Sequence, residues 1–444
     1  MSSSASQLFR KEFTQKNLLS IYEQRISKSL AVGKDGVRQE NFQRKKLDEI
    51  RLIIEKVNAD TYEFTTYKPK LISKGEGKAP RKISIPTVRD RLTLRVMCDI
   101  LASLFPECKT RKPHNYIRDI REVLNKTSAT HYLRIDIKDF FPSINHSLLL
   151  GKLKKKIRKK ELFNLYEKAI KTPTEYSNSK NVNNAKGVPQ GLSISGFLSS
   201  IYLIDIDRTF KSRFNYFRYV DDIIVLGSES EVRTAYFEIS GVFARCGLEI
   251  HELGEDKGKT YIDKIKNGFD YLGFSISRDY VSVRDSSIKR IMNNILKILT
   301  VTKYKKGYDK MIWRLNLKIT GCIFKENRYG WVFFFQQIDD KKLLMRLDNF
   351  VRKEMEKREM SKFNEDIKTF VKAYHEIRYN SKETEYIPNF DKYTIDEMKD
   401  VIAHAEGKSP SFYARLEAAE VAAKFDRIIN RETSELENDL IVVS

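Results

Sequence analysis

The segment Phe217–Gly227, FRYVDDIIVLG, constrains the fold more than any other stretch of the chain. Its apolar and aromatic content is that of a buried strand, yet Asp221 and Asp222 stand side by side within it. Successive strand residues point to opposite faces, so in an unbroken strand one carboxylate would face a core. An ionised carboxylate is costly there unless it is paired. A hairpin resolves the conflict if Tyr219-Val220-Asp221-Asp222 forms the bend and both carboxylates project into a cleft. Like charges held close raise each other's pKa unless a cation neutralises them. Mg²⁺ suits such a pair, because it takes one or two carboxylates and fills its shell with water and phosphate oxygens. A second apolar strand interrupted by charge, LRIDIKDFFPSI, supplies Asp136. A third carboxylate from another strand allows two ions about 3.5–4 Å apart, the geometry of in-line phosphoryl displacement.

The chain has 444 residues, enough for two or three domains. Its 82 basic against 60 acidic residues give a formal charge of +22, which favours a polyanionic partner such as nucleic acid. Four scattered cysteines without a C-x-x-C pair indicate neither a disulfide framework nor a zinc knuckle, as expected in a reducing cytosol. The N-terminal stretch lacks an apolar signal core. The most apolar runs, FLSSIYLI and WVFFF, fall short of the ~20 residues a membrane span requires. A cytoplasmic protein without membrane contact is expected.

Leu47, Ile50, Ile53, Ile54 and Val57 recur at helical spacing, and FTTYKPKLISKGEGKAPRKISIP reads as a basic β-hairpin with its tip near Lys74–Pro80. From about Thr130 to Phe274 short strands alternate with helices, and beyond Ser286 the pattern is helical, with an apolar stripe of Ile288, Ile291, Ile295 and Ile298. The class is therefore α+β, with carboxylates on central strands.

YVDD in an apolar hairpin, after DIKDFF and GVPQG in that order, resembles the palm of a reverse transcriptase, and the resemblance runs from about Gly33 to Phe350. GKDGV and ISIPTVRDR are closer to group II intron and other bacterial reverse transcriptases than to retroviral ones. The resemblance implies a right-hand polymerase with fingers and palm (an antiparallel sheet plus helices), followed by an α-helical thumb and a helical C-terminal region. The expected boundaries are 1–129 for N-terminal helices and fingers, 130–278 for the palm, 279–360 for the thumb and 361–444 for the extension.

It further implies that Asp136 and Asp221 are the principal ligands of two Mg²⁺ ions, with Mn²⁺ as a substitute, and that Asp222 completes the metal environment. Phe141, rather than the core aromatic Phe140, takes the position under the nucleotide sugar, where it would collide with a ribose 2′-OH and select dNTPs. Gln190 and Gly191 line the nucleotide pocket, Lys259 meets the leaving pyrophosphate, and Lys74 (or Lys78) with Arg81 clamps the triphosphate. Leu272 and Gly273, in FDYLGF, form the turn of the hairpin that grips the primer. In KTRKPHNYIR, Lys112, His114 and Tyr116 combine charge with stacking surface, as single-strand binding requires. KLKKKIRKK, Lys152–Lys160, is either a phosphate-tracking run or a solvated helix face.

No endonuclease, RNase H or integrase pattern follows the thumb, and a VTG thumb signature is absent after Phe274. The chain thus looks most like the free-standing reverse transcriptases of bacterial antiphage defence. That likeness implies an RNA template in the form of a dedicated noncoding RNA, a DNA product, and a second polymerase or a further copy of the chain as partner. Two alternatives compete: a maturase-like scaffold for structured RNA, and an RNA-dependent RNA polymerase.

Overall fold

The computed structural model describes residues 4–27, 29, 31–73, 79–175, 186–254, 259–305 (the side chains of 302–305 aside), 307–381, 383–438 and 440. The chain divides into two compact units, one of Met1–Arg111 with Thr127–Lys264, the other of Lys112–Lys126 with Ile265–Ser444.

In the first unit β1 (Lys68–Ile72) and β2 (Arg81–Ile85) form the expected basic hairpin. Lys74 and Lys78, at its tip, lie outside the described residues. Four further strands, β3 (His131–Asp136), β4 (Asn215–Tyr219), β5 (Asp222–Gly227) and β6 (Tyr261–Lys264), make an antiparallel sheet of order β4-β5-β3-β6. The unbroken run Ile223–Leu226 is buried because β5 is central. Helix Ser195–Arg213 packs on β4, and helix Glu229–Arg245 packs on β3 and β5. The latter begins with a capping box in which Ser228 and Glu231 each accept the other's backbone N–H. Helix Lys46–Asn58 buries Ile50, Ile53 and Val57 as expected, whereas Leu47 stays exposed one turn outside the packed stripe.

TVRD begins the long helix Val88–Leu104, and Asp90 is nearly fully buried at its first turn. Its carboxylate accepts from the Tyr62 hydroxyl (2.9 Å), the Thr87 hydroxyl (2.8 Å) and the Thr65 N–H (3.2 Å). Gly33 packs so closely on this start that a Cβ there would lie 2.6 Å from the Thr87 Cα. Burial outweighs the three donors and pushes the Asp90 carboxyl up to about 6. A carboxyl raised above its unfolded value favours the folded state only where it is protonated. This group's contribution to stability should therefore rise as pH falls from about 6 to about 4, by about 3 kcal/mol at most. Denaturation of wild type and Asp90→Asn across that range measures it, since the difference between them should narrow or widen only within this window.

In the second unit β7 (Phe269–Tyr271), β8 (Phe274–Ile276) and β9 (Val281–Val283) form an antiparallel meander. Helix Asp285–Lys305 follows, with Ile288, Ile291, Ile295 and Leu299 buried. Ile298, expected in that stripe, is half-buried at its margin, because the spacing closes on Leu299. A short hairpin of β10 (Cys322–Phe324) and β11 (Asn327–Tyr329) has positive φ at both loop residues, Lys325 and Glu326, whose N–H groups are accepted by Asp391. Helices Phe370–Tyr379, Ile395–Glu406 and Ala418–Asn438 complete the unit, and the last two share a core with Cys322 and Phe324. Gly321 and Gly330 flank the hairpin at φ +67° and +123°, and a Cβ on Gly321 would overlap the Tyr329 carbonyl oxygen. Gly321→Ala should cost about 2–4 kcal/mol, measurable as a lower denaturation midpoint, whereas Gly407→Ala, with open space around it, should cost about 1 kcal/mol. Among the described residues no helix is long and apolar enough to cross a membrane.

Candidate active site

β3 and β5 run out together at the site. Leu133↔Val225 and Ile135↔Ile223 pair in the core, and the next pair is Asp136↔Asp222. Tyr219↔Asp222 closes the β4–β5 hairpin, leaving Val220 and Asp221 as its two-residue loop, which is the bend read from the sequence. Val220 has φ +58° at the first loop position, where glycine is favoured and a β-branched residue is strained. The strain is held by a buried pair. Arg218, 8% exposed, makes a bidentate ion pair with Asp207 of helix Ser195–Arg213 and donates to the Val220 carbonyl (2.8 Å). The Tyr216 hydroxyl also donates to Asp207 (3.0 Å). The hairpin tip is thereby tethered to the helix that follows GVPQG.

Like charges directly opposite in a sheet repel, and two cations answer here. Arg134, two residues before Asp136 on the same strand face, forks onto Asp222, with Nε–Oδ1 at 3.1 Å and Nη2–Oδ2 at 2.9 Å. Burial still dominates and leaves the Asp222 carboxyl at about 6, with Arg134 pulling it down and Asp221 and Asp136 pushing it up. Lys259 Nζ lies 3.4 Å from Asp136 Oδ2, and His251 Nε2 is also 3.4 Å from that oxygen. The Thr260 hydroxyl accepts from the Asp136 N–H (3.3 Å). Burial and the charge of Asp136 hold the Asp221 carboxyl above its ordinary value, offset by Arg81 and Arg218.

Asp136 and Arg81 thus act electrostatically on Asp221, Asp221 and Asp136 act on Asp222, and Lys259 contacts Asp136. Phe140 is buried, and Phe141 is half-buried and packed against the same core. The Phe141 carbonyl accepts from the Val188 N–H (2.9 Å), which ties it to the GVPQG loop. In that loop the Gln190 carbonyl accepts from the Ser84 N–H (2.7 Å), and Gly191, at φ +99°, leaves no room for a Cβ against Ile83. β2, which starts at Arg81, and the loop are joined through these contacts. The second unit holds the remaining candidates. Leu272 and Gly273 form a two-residue turn between β7 and β8 with positive φ at both positions. Lys112 is exposed just ahead of helix Pro113–Lys126, on which His114 and Tyr116 are half-buried, and burial lowers the His114 pKa.

Within Lys152–Lys160, Lys152 pairs with Asp205, Lys156 with Glu107 and Lys159 with Glu161, so part of that run is structural. Sequence reasoning missed Arg134, Arg218, Asp207 and His251. Arg218 had a signal, a cation in an apolar strand just before the bend; Arg134 and His251 become visible only through strand register, and Asp207 only through helix packing.

Among the described residues no three His, Cys, Asp or Glu side chains lie close enough to share one ion. The donor set still fits Mg²⁺, which needs only one or two carboxylates beside water and phosphate oxygens: Asp136 and Asp221 offer hard oxygens whose charges act on each other, while Asp222 is engaged by Arg134.

Residues 72–276 match the family described as Reverse transcriptase (RNA-dependent DNA polymerase). Protein YkfC of Escherichia coli K12 is 24% identical over 297 residues, covering 55% of this chain and 76% of its own length. The group II intron-encoded protein LtrA of Lactococcus lactis subsp. cremoris is 24% identical over 229 residues, 49% of this chain and 36% of LtrA. An uncharacterised 91 kDa protein in the cob intron of Schizosaccharomyces pombe is 28% identical over 193 residues, 41% of this chain and 23% of that protein. The chain therefore spans well under two thirds of two of these three relatives. A solved telomerase structure from Candida albicans covers 90% of this chain and 68% of its own, at TM-score 0.43 and 13% identity. Over residues 72–276 the chain thus matches the reverse transcriptase family, and a group II intron-encoded protein is among the sequences it is similar to.

Proposed function

We propose that the protein is an RNA-directed DNA polymerase that extends a primer 3′-hydroxyl with dNTPs. The observation that carries this reading is the placement of Asp221, on a tethered hairpin tip next to Asp222, which pairs with Asp136 across the sheet, so that the charge of Asp136 acts on Asp221. Bound there, Mg²⁺ would lower the pKa of the attacking hydroxyl and offset the charge that develops on the phosphoryl oxygens. Asp136 and Asp221 hold the ion. Asp222, clamped by Arg134, fixes the end of β5 and adds negative potential without leaving its partner. Arg81, with Lys74 of the undescribed tip, binds the triphosphate as counter-charge. Gln190 and Gly191 bring backbone up to the incoming nucleotide, and Lys259 supplies positive charge to the leaving pyrophosphate. Lys112, His114, Tyr116, Leu272 and Gly273 bind the nucleic-acid strands.

Phe141 sets the sugar preference by occupying the space of a ribose 2′-OH. Phe141→Ala should raise the efficiency of rNTP use relative to dNTP by about 10- to 100-fold, read from kcat/KM for each nucleotide. Equal use of both by wild type would instead favour an RNA polymerase.

The template in this reading is a dedicated noncoding RNA and the setting antiphage defence, supported by the sequence resemblance alone. Sequencing the nucleic acid that co-purifies tests both. The similarity to an intron-encoded protein favours a second reading, a maturase-like RNA scaffold. Tight binding of structured RNA that persists in Asp136→Asn/Asp221→Asn, without primer extension by wild type, would establish it.

A further inference from the structure

His251 has no role in the reading above, yet it sits against two of its residues. The backbone of Glu249–His251 is laid along the end of β3. Ile250 bridges Ile137, the Lys138 N–H donates to the Glu249 carbonyl (2.8 Å), and the His251 N–H donates to the Asp136 carbonyl (3.2 Å). This pairing fixes the imidazole beside the Asp136 side chain. Nε2 then lies 2.8 Å from Lys259 Nζ, and both are 3.4 Å from the same Asp136 oxygen.

The donor inventory decides what this triangle is. A lysine ammonium only donates, so at 2.8 Å the imidazole Nε2 must accept, and the ring proton resides on Nδ1. The carboxylate oxygen also only accepts. Lys259 is therefore the hub, with one N–H toward Asp136 and another toward His251. Lysine is a point charge on a flexible four-carbon stem, and the Lys259 side chain is 40% exposed, so Asp136 alone would leave it many conformers. A second acceptor, fixed by sheet pairing and only 18% exposed, selects among them.

We propose that His251 is a positioning residue, the neutral acceptor that holds the Lys259 ammonium beside Asp136, where the polymerase needs positive charge on the leaving pyrophosphate. The proposal rests on the polymerase reading for its purpose. It also predicts that Lys259 keeps a partner when a divalent cation takes the Asp136 oxygen, because the His251 contact does not compete for that oxygen.

The test is a double-mutant cycle on the full chain with a primed RNA template, Mg²⁺ and dNTPs, alongside thermal melting of each variant. His251→Leu should lower kcat about tenfold, the value of one hydrogen bond to a charged group, with KM for dNTP changed less than about twofold. In a Lys259→Met background the same substitution should cost nothing more, and His251→Gln, whose amide oxygen can accept, should restore most of the loss. Equal losses in both backgrounds, a Gln variant no better than Leu, or an unaffected kcat would overturn the proposal. Failure of wild type to extend any primer would remove the polymerase reading. The contact itself is then read from imidazole ¹⁵N shifts in the metal-free protein. An Nδ1–H ring whose Nε2 shift changes in Lys259→Met supports it, and an unchanged shift sinks it.

Discussion

Asp136→Asn and Asp221→Asn are each expected to lower primer extension by about three orders of magnitude, and Asp221→Asn to do so without lowering the melting temperature. The activity loss follows from withdrawing a hard anionic oxygen where an ion supplies several kcal/mol of charge stabilisation, at 1.36 kcal/mol per tenfold. The stability direction follows from the electrostatics of the pair. Burial and Asp136 both disfavour the charged form of Asp221, so a neutral isostere relieves repulsion that the folded protein carries at neutral pH. Active sites often store such cost. Melting curves and single-turnover extension on the same preparations check both halves. An Asp221→Asn protein that melts much lower than wild type would mean that the carboxylate holds the hairpin together, and the metal-site account would lose its main support.

Arg218→Met should destabilise the protein by about 3–5 kcal/mol, the usual consequence of leaving one member of a buried ion pair alone. Asp207 would lose its guanidinium partner, and the Val220 carbonyl would lose its donor at a residue already strained at φ +58°. Removing both charges separates the two effects. Asp207→Asn/Arg218→Met should recover most of the stability, since a buried pair replaced on both sides is close to neutral. Extension should stay depressed by tenfold or more, because the tip that carries Asp221 would remain untethered. Denaturant titration paired with turnover kinetics gives both numbers. Full recovery of activity in the double variant would show that the tether does not position the aspartate.

The bend at Tyr219–Asp222 and the partner strand bearing Asp136 were legible because each is local, whereas the LG turn and the separate role of Phe141 came from the family resemblance. Period-two patterning and a charge doublet need no knowledge of distant residues. Arg134 and His251 were not legible, because their roles arise from register, and Asp207 was not, because it meets Arg218 only through packing of helix Ser195–Arg213 on β4. Arg134 reaches Asp222 only because β3 and β5 pair with Asp136 opposite Asp222, and His251 reaches Asp136 only because Ile250 bridges Ile137. The basic run Lys152–Lys160, left open between a phosphate-tracking run and a solvated helix face, shows a similar limit. Composition shows its charge, but not that Asp205, Glu107 and Glu161 stand beside it. Helix Pro113–Lys126 groups with residues after Ile265 through contacts such as Arg121 with Asp339 (3.0 Å), which sequence distance conceals.

The central claim is that Asp136 and Asp221 form the catalytic centre of RNA-templated DNA synthesis. Extension of a DNA primer annealed to a defined RNA, with Mg²⁺ and four dNTPs, measures it most directly. The account predicts template-length product from wild type, its loss on chelation with EDTA, and none from Asp136→Asn/Asp221→Asn that retains the wild-type circular dichroism spectrum. Equal product from wild type and the folded double variant would contradict it.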